Sequence, residues 1–241
     1  MPDQQQAKRP HFILRDTSQA VEFKAHSAGG RSTRDVPVLP RQQHGVSLRG
    51  QIENLKPAAA EAVQAQRDLQ LESGLGLQIQ FSSQPGVELA FESLANETKK
   101  IELLSVRHEG NQTFANVFVP DGGLAHFEKY VSDYLMEKKD SRGQARDHRK
   151  LLDAIESIRA AEIRALWTDD PDLLPADLTA AFWWEVWLPV RGQGQRQVVV
   201  EDFKKLARLA ECVVSDEQVN FPERTVLLMY GSQQQLSRSV M

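Results

Sequence analysis

The chain has 241 residues, with 29 Lys+Arg against 33 Asp+Glu and a formal net charge of −4; hydrophobic residues make up 41% and charged residues 26%. This length allows one large domain or two small ones, and the charge balance excludes a chain that coats nucleic acid through its global charge. A single cysteine, Cys212, excludes a disulfide framework and a thiolate metal cluster within one chain. No run approaches the roughly 18 apolar residues of a transmembrane helix. Residues 1–6 have no apolar core, so they do not read as a secretory leader, and the expected compartment is the cytoplasm.

Residues 1–50 carry eight basic and four acidic side chains, so the remainder of the chain carries the opposite bias, −8. With Gly29-Gly30, Pro37 and Pro40, residues 1–49 read as an extended basic arm or linker. Residues 50–73 read as helix. Ile52, Leu55, Ala59, Ala62, Val63 and Leu69 fall three or four apart, and Pro57 predicts a break inside the run.

The period then changes to two. Leu75, Leu77, Ile79 and Phe81 alternate with polar residues or glycine, which predicts a half-buried strand. Val87, Phe91 and Leu94 mark a short helix. Strands over 101–108 and 113–119 flank the turn Glu109-Gly110-Asn111 and form a hairpin. A helix follows with the stripe Leu124, Phe127, Val131, Tyr134 and Leu135. Residues 74–140 therefore read β-α-β-β-α, most of a ferredoxin-like split βαβ unit. Residues 141–180 read as a helical connection and an acidic turn. Leu151, Ile155, Ile158 and Ala165 place a long helix over about 147–166, and Asp169, Asp170 and Asp172 surround Pro171 after it.

Residues 181–241 repeat the pattern. The run over 182–188, Phe-Trp-Trp-Glu-Val-Trp-Leu, is nearly continuous in apolar character and reads as a central strand covered on both faces. It either opens the second unit or completes the first. Val200, Phe203, Ala207 and Ala210 define a helix, and a hairpin turning at 220–223 follows. Ser232 and Gln235 form the Ser-x-x-Gln pattern of a capping box. The fold class expected is α+β, with two ferredoxin-like (β-α-β-β-α) units joined by a long helix and an extended N-terminal arm. The second unit reads as truncated before its final strand.

No catalytic, cofactor-binding or metal-ligating residue is expected. Asp16-Thr17-Ser18, His44-Gly45 and Gly231-Ser232 mimic parts of a charge-relay triad, but the first two lie in a polar segment and Ser232 reads as a helix cap. His126 has Lys129 and Tyr130 at helical spacing, neither a metal partner, and Glu128 and the pair His108-Glu109 complete no site. Cys212 reads as a small buried hydrophobe. Gly74-Leu75-Gly76 and Gly192-Gln193-Gly194 lack the spacing of a phosphate loop. Trp183, Trp184 and Trp187 read as core packing, because the acidic residues around them oppose a phosphate backbone.

Several stretches together carry a likeness: 101–107 (Ile-Glu-Leu-Leu-Ser-Val-Arg), 117–120 with 123–134, 166–171 (Leu-Trp-Thr-Asp-Asp-Pro), 183–188 (Trp-Trp-Glu-Val-Trp-Leu) and 221–226 (Phe-Pro-Glu-Arg-Thr-Val). This series resembles the N-terminal region of a group of bacterial subtilisin-family serine peptidases, over roughly residues 70–232 with a weaker echo around 41–55. In that group the region precedes the catalytic domain, and the genes often lie beside one for an AAA-type ATPase. The resemblance implies a prodomain-like or regulatory region, with the catalytic Asp, His and Ser motifs beyond Met241. The partners it implies are a subtilisin-like catalytic domain, in cis or in trans, and an AAA-type ATPase; no nucleic acid or membrane partner is expected. The alternative is a stand-alone interaction or protease-inhibitor-like module acting in trans.

Overall fold

The computed structural model describes residues 36–73, 76–190 and 195–239. All of them belong to one unit of the chain, Arg34–Met241. The first element is helix α1, Arg41–Glu53, entered from an extended Pro40. Residues 41–49, read from sequence as the end of the arm, are therefore its first turns; the arm before residue 36 lies outside the described residues. Helix α2, Lys56–Asp68, follows after a break at Asn54 and Leu55. Pro57 sits in the first turn of α2, where its missing N–H would have had no intrahelical partner.

The first sheet contains β1 (Gly76–Ser83), β2 (Glu102–Glu109), β3 (Gln112–Pro120) and β4 (Ile155–Ala160) in the order β2-β3-β1-β4. Every neighbouring pair is antiparallel. Helix α3, Leu124–Leu135, packs with α1 over one face. The core between them holds Leu48, Ile52, Ile79, Phe81, Val117, Phe127, Val131 and Tyr134. The short helix expected near Val87, Phe91 and Leu94 is instead two single 3-10 turns, Phe91–Ser93 and Glu97–Lys99. The Asn96 side chain accepts the Lys99 N–H, and Lys100 adopts a left-handed φ of 54°, which ends the second turn at once.

The long helix over 147–166 is not formed. Its place is taken by the one-turn helix α4 (Arg149–Leu152), strand β4 and the one-turn helix α5 (Ile163–Leu166). The helix-like spacing comes from a β-bulge. Ser82 pairs Ser157 while Ser83 pairs Ile155, so Glu156 is an extra residue. The bulge turns Ile155 and Ile158 to the same buried side, three residues apart, and so imitates a helical stripe.

The second sheet contains β5 (Ala181–Pro189), β6 (Val213–Asn220) and β7 (Arg224–Ser232), antiparallel in the order β5-β7-β6. The strand over 182–188 thus opens the second sheet. It is an edge strand with one open face, not a central strand covered on both faces. Helices α6 (Arg196–Leu209) and α7 (Gln233–Ser239) lie on the inner side, with Trp184, Ala207, Met229 and Leu236 buried together. The capping box forms as expected: the Gln235 N–H donates to Ser232 Oγ at 3.3 Å, and Gln235 Oε1 accepts the Ser232 N–H at 2.8 Å. The chain is mixed α+β with two antiparallel sheets.

Two glycines of α1 make opposite predictions. A Cβ on Gly45 would meet Leu135 Cδ2 at 2.5 Å, because α1 crosses α3 there, whereas a Cβ on exposed Gly50 would meet nothing within 4 Å. Gly50→Ala is expected to raise unfolding free energy by about 0.5–1 kcal/mol. Gly45→Ala is expected to lower it by about 1–3 kcal/mol through overpacking. Denaturant midpoints of the two variants check both signs.

Candidate functional site

The side of the second sheet away from α6 is covered by nothing among the described residues. Alternation along β5 sends Trp184 into the core, 6% exposed, and leaves Trp183 and Trp187 at 54% and 53%. On β7 the outward residues are Leu228 and Tyr230, and on β6 they are Val213 and Val219. The strand register sets these side chains in rows: Trp183 opposite Tyr230 opposite Val213, then Glu185 opposite Leu228, then Trp187 opposite Val226 opposite Val219. Trp183 and Tyr230 meet with ring centroids 5.4 Å apart, and Trp187 stacks on Phe221 at 5.5 Å with the planes 9° apart. Exposed aromatic and aliphatic side chains stand side by side across all three strands of this face. The expectation that Trp183 and Trp187 serve as core is overturned; only Trp184 does.

The frame under the face is held from behind. Trp184 Nε1 donates to the Gly231 carbonyl at 2.8 Å, and the ring packs on Phe182 and Trp167. Arg196, at the start of α6, donates to the carbonyls of Phe221 and Arg224 and to Thr225 Oγ1 at 2.7, 2.9 and 2.6 Å. One guanidinium thereby fixes the β6–β7 turn that carries Phe221. Sequence reasoning missed Arg196, because nothing local marks an arginine whose partners lie some 25 positions later. On the face itself Trp187 Nε1 donates to Glu185 Oε1 at 2.6 Å.

Asp16, Thr17 and Ser18 lie outside the described residues, as do Gly74, Leu75 and the loop 191–194. His44 Nε2 lies 2.9 Å from the Leu152 carbonyl, and Ser232 caps α7. Cys212 is buried as expected, and burial pushes its thiol up. Glu128 bridges to Lys56 at 2.8 Å. His108 Nδ1 lies 3.4 Å from Thr113 Oγ1, and Glu109 pairs with Arg107. Among the described residues no group of three or more His, Cys, Asp or Glu is arranged to hold a metal ion, and no helix is long and apolar enough to cross a membrane.

One histidine cluster was not legible. His148 stacks on Tyr130 at 3.7 Å, and Tyr130 in turn meets His126 at 4.4 Å. Burial lowers both histidine pKa values, and the charge of His148 adds to the lowering at His126. Lys99 and Lys129 also oppose protonation of His126, while Asp133 and Asp147 favour it at His148 against Lys129 and Lys138. Burial thus favours the neutral form of both rings. The stability this confers is present above their ordinary value of 6.5 and is lost as pH falls from there towards the depressed values. The lowered carboxylates Asp133, Asp140, Asp147, Asp177 and Asp202 lose their contribution only as pH falls through the range around their ordinary value of 3.8 and below it. The denaturation midpoint is therefore expected to fall between pH 7 and pH 5, and to fall less in a His126→Gln/His148→Phe double variant. Equal slopes in the two proteins would refute the assignment.

Residues 42–162 match the family model described as Y4kK N-terminal domain. No curated protein and no solved structure matches the chain. The matched stretch runs from α1 to just beyond β4, so it coincides with the first sheet and its helices and leaves the second sheet outside. It spans half of the chain, and on that ground the protein belongs to the Y4kK N-terminal domain family.

Proposed function

We propose that this chain is a prodomain-like or regulatory N-terminal region that binds a subtilisin-type serine endopeptidase domain and folds or gates it, taking no part in the chemistry itself. The observation that carries the reading is the open aromatic face of the second sheet, with Trp183, Trp187, Phe221, Leu228 and Tyr230 held outward on a braced frame. Aromatic residues on a rigid support supply large contact area at low entropic cost, which suits protein docking. The likeness of 101–107, 166–171 and 183–188 to the region preceding such peptidase domains supports a partner of that class. An AAA-type ATPase is the second partner in this reading. The same face serves a domain linked in cis or one met in trans as an inhibitor-like module does.

The ferredoxin-like description is part of the proposal. In its favour, the first sheet has the order β2-β3-β1-β4 with all pairs antiparallel, the order of a split βαβ unit. The first crossover, between β1 and β2, holds 3-10 turns in place of a helix, and α1, packed beside α3, fills the helical layer instead. The second sheet, β5-β7-β6, has the same order without a fourth strand.

The test uses the full chain and a separately produced subtilisin-type catalytic domain with the downstream motifs of this resemblance. The wild type is expected to bind it and to slow its peptide hydrolysis or speed its refolding. Trp183→Ser/Trp187→Ser, which alters only exposed rings, is expected to weaken binding about 10-fold or more while leaving the melting curve in place. A wild-type chain with no effect on the catalytic domain refutes the reading.

A further inference from the structure

We infer that the free edge of β5 receives an extended segment of a partner protein, basic and apolar in alternation, as a fourth strand of the second sheet. The inference rests on the docking reading above and names where and how a partner chain engages.

The register shows which main-chain groups are on offer. The Val190 N–H donates to the Glu223 carbonyl at 3.0 Å, continuing the pairing in which Pro189 faces Arg224. Even-numbered residues of β5 therefore exchange hydrogen bonds with β7, and odd-numbered ones direct theirs away from it. The N–H and C=O groups of Trp183, Glu185 and Trp187 thus point to the free edge. Pro189, which has no N–H, falls in the same set, the side of an edge strand where proline is tolerated. Among the described residues no hydrogen bond reaches those outward groups.

The two edges of this sheet are not alike. β6 is blunted by a register shift between Val214 and Gln218, with exposed Asp216 and Glu217 on the shifted stretch. β5 is nine residues long, pairs without a shift and carries no lysine or arginine. Long, regular, apolar edges are those that accept another strand. The first sheet shows what fills the corresponding place. There β4 lies beside β1, the strand that stands to β2 and β3 as β5 stands to β6 and β7. β4 brings Arg159 across to Gln80 of β1, with N···O distances of 2.6 and 3.0 Å.

Charge selects the occupant. Residues 167–190 contain Asp169, Asp170, Asp172, Asp177 and Glu185, and no lysine or arginine. Residues 175–178 lie at the end of the sheet where β5 begins, since the Pro175 and Leu178 carbonyls accept from Gln233 and Gln234 and Ala181 pairs Ser232. Glu185 is the only charged residue of β5 and stands at its middle. A second copy of the chain paired symmetrically about β5 would set one Glu185 against the other, which is unfavourable. A segment with lysine or arginine opposite Glu185 and β-branched residues between has both the charge and the pleat to fit.

The test titrates the full chain with a nine-residue peptide alternating valine with lysine or arginine, reading tryptophan emission with light scattering alongside. The basic peptide is expected to saturate and to bind about 10-fold or more tightly than the same peptide with glutamate as its charged residue. Glu185→Pro, which removes an outward N–H without breaking a bond to β7, is expected to weaken binding about 10-fold, and Glu185→Gln about 3-fold. Circular dichroism verifies that both variants are folded, and Glu185→Gln carries the test if the proline variant is not. Equal binding of the two peptides, or unchanged binding by the folded variants, overturns the inference. So does a wild-type dimer that Glu185→Gln stabilises, since the occupant is then a second copy. If peptide binding fails while the catalytic domain still binds, the edge assignment alone is wrong. If the peptide adds as expected but the catalytic domain does not bind, the choice of partner alone is wrong.

Discussion

A β-strand carries main-chain donors and acceptors along both margins, and the organisation of this protein follows from which margins find partners. In the first sheet β1 is flanked by β3 and β4, so both of its rows are used and its side chains are buried on both faces, including Gln80 and Ser82. In the second sheet β7 holds the central place, and β5 is left with one row used. The same strand order thus gives β1 two neighbours and β5 one. Apolar burial stabilises both cores, but only in the first sheet does the strand equivalent to β5 find partners along both margins.

Closing the first sheet on its second face required polar chemistry. Gln80 Oε1 accepts two N–H bonds from Arg159, Ser82 meets Ser157 at 2.6 Å, and the Asn116 amide donates to Ser105 Oγ and to the Ala165 carbonyl. A buried amide left unpaired costs about 1–3 kcal/mol, so this network fixes its partners closely. Ala165 belongs to α5, and Trp167 follows it directly, with its ring edge-on to Trp184 at 5.7 Å. A second tie runs through Asp202 of α6, which accepts the Ser73 N–H at 2.7 Å just before β1. The polar face of one sheet thereby positions an aromatic support beneath the other.

What was legible in the sequence follows the same physics. Both hairpins, α3, α6, the Pro57 break and the capping box were readable because each depends on residues within one turn or one alternation. Ile155 and Ile158 misled because the bulge at Glu156 resets the alternation, and no local signal distinguishes that spacing from a helical one. The run over 182–188 misled because continuous apolar character signals burial on two faces. Here one face is exposed, so Trp183 and Trp187 belong to no core and find their explanation only in the three-strand register. Arg196 and the stacked pair of Tyr130 and His148 depend on long-range contacts and leave no sequence pattern. His44 and Ser232 have structural partners, and Asp16 lies outside the described segments.

An aromatic face alone would attract many partners in many orientations, because dispersion and apolar burial have no direction. Main-chain pairing along β5 supplies the direction, since a one-residue slip of an added strand turns every one of its side chains to the other face. The two devices meet at Glu185. Its carboxylate already accepts the Trp187 indole N–H, so it is oriented before any partner arrives and costs little further ordering on binding. The side chain that selects by charge is thus tied to one that contributes area, and both stand on the residues whose main-chain groups face the open edge.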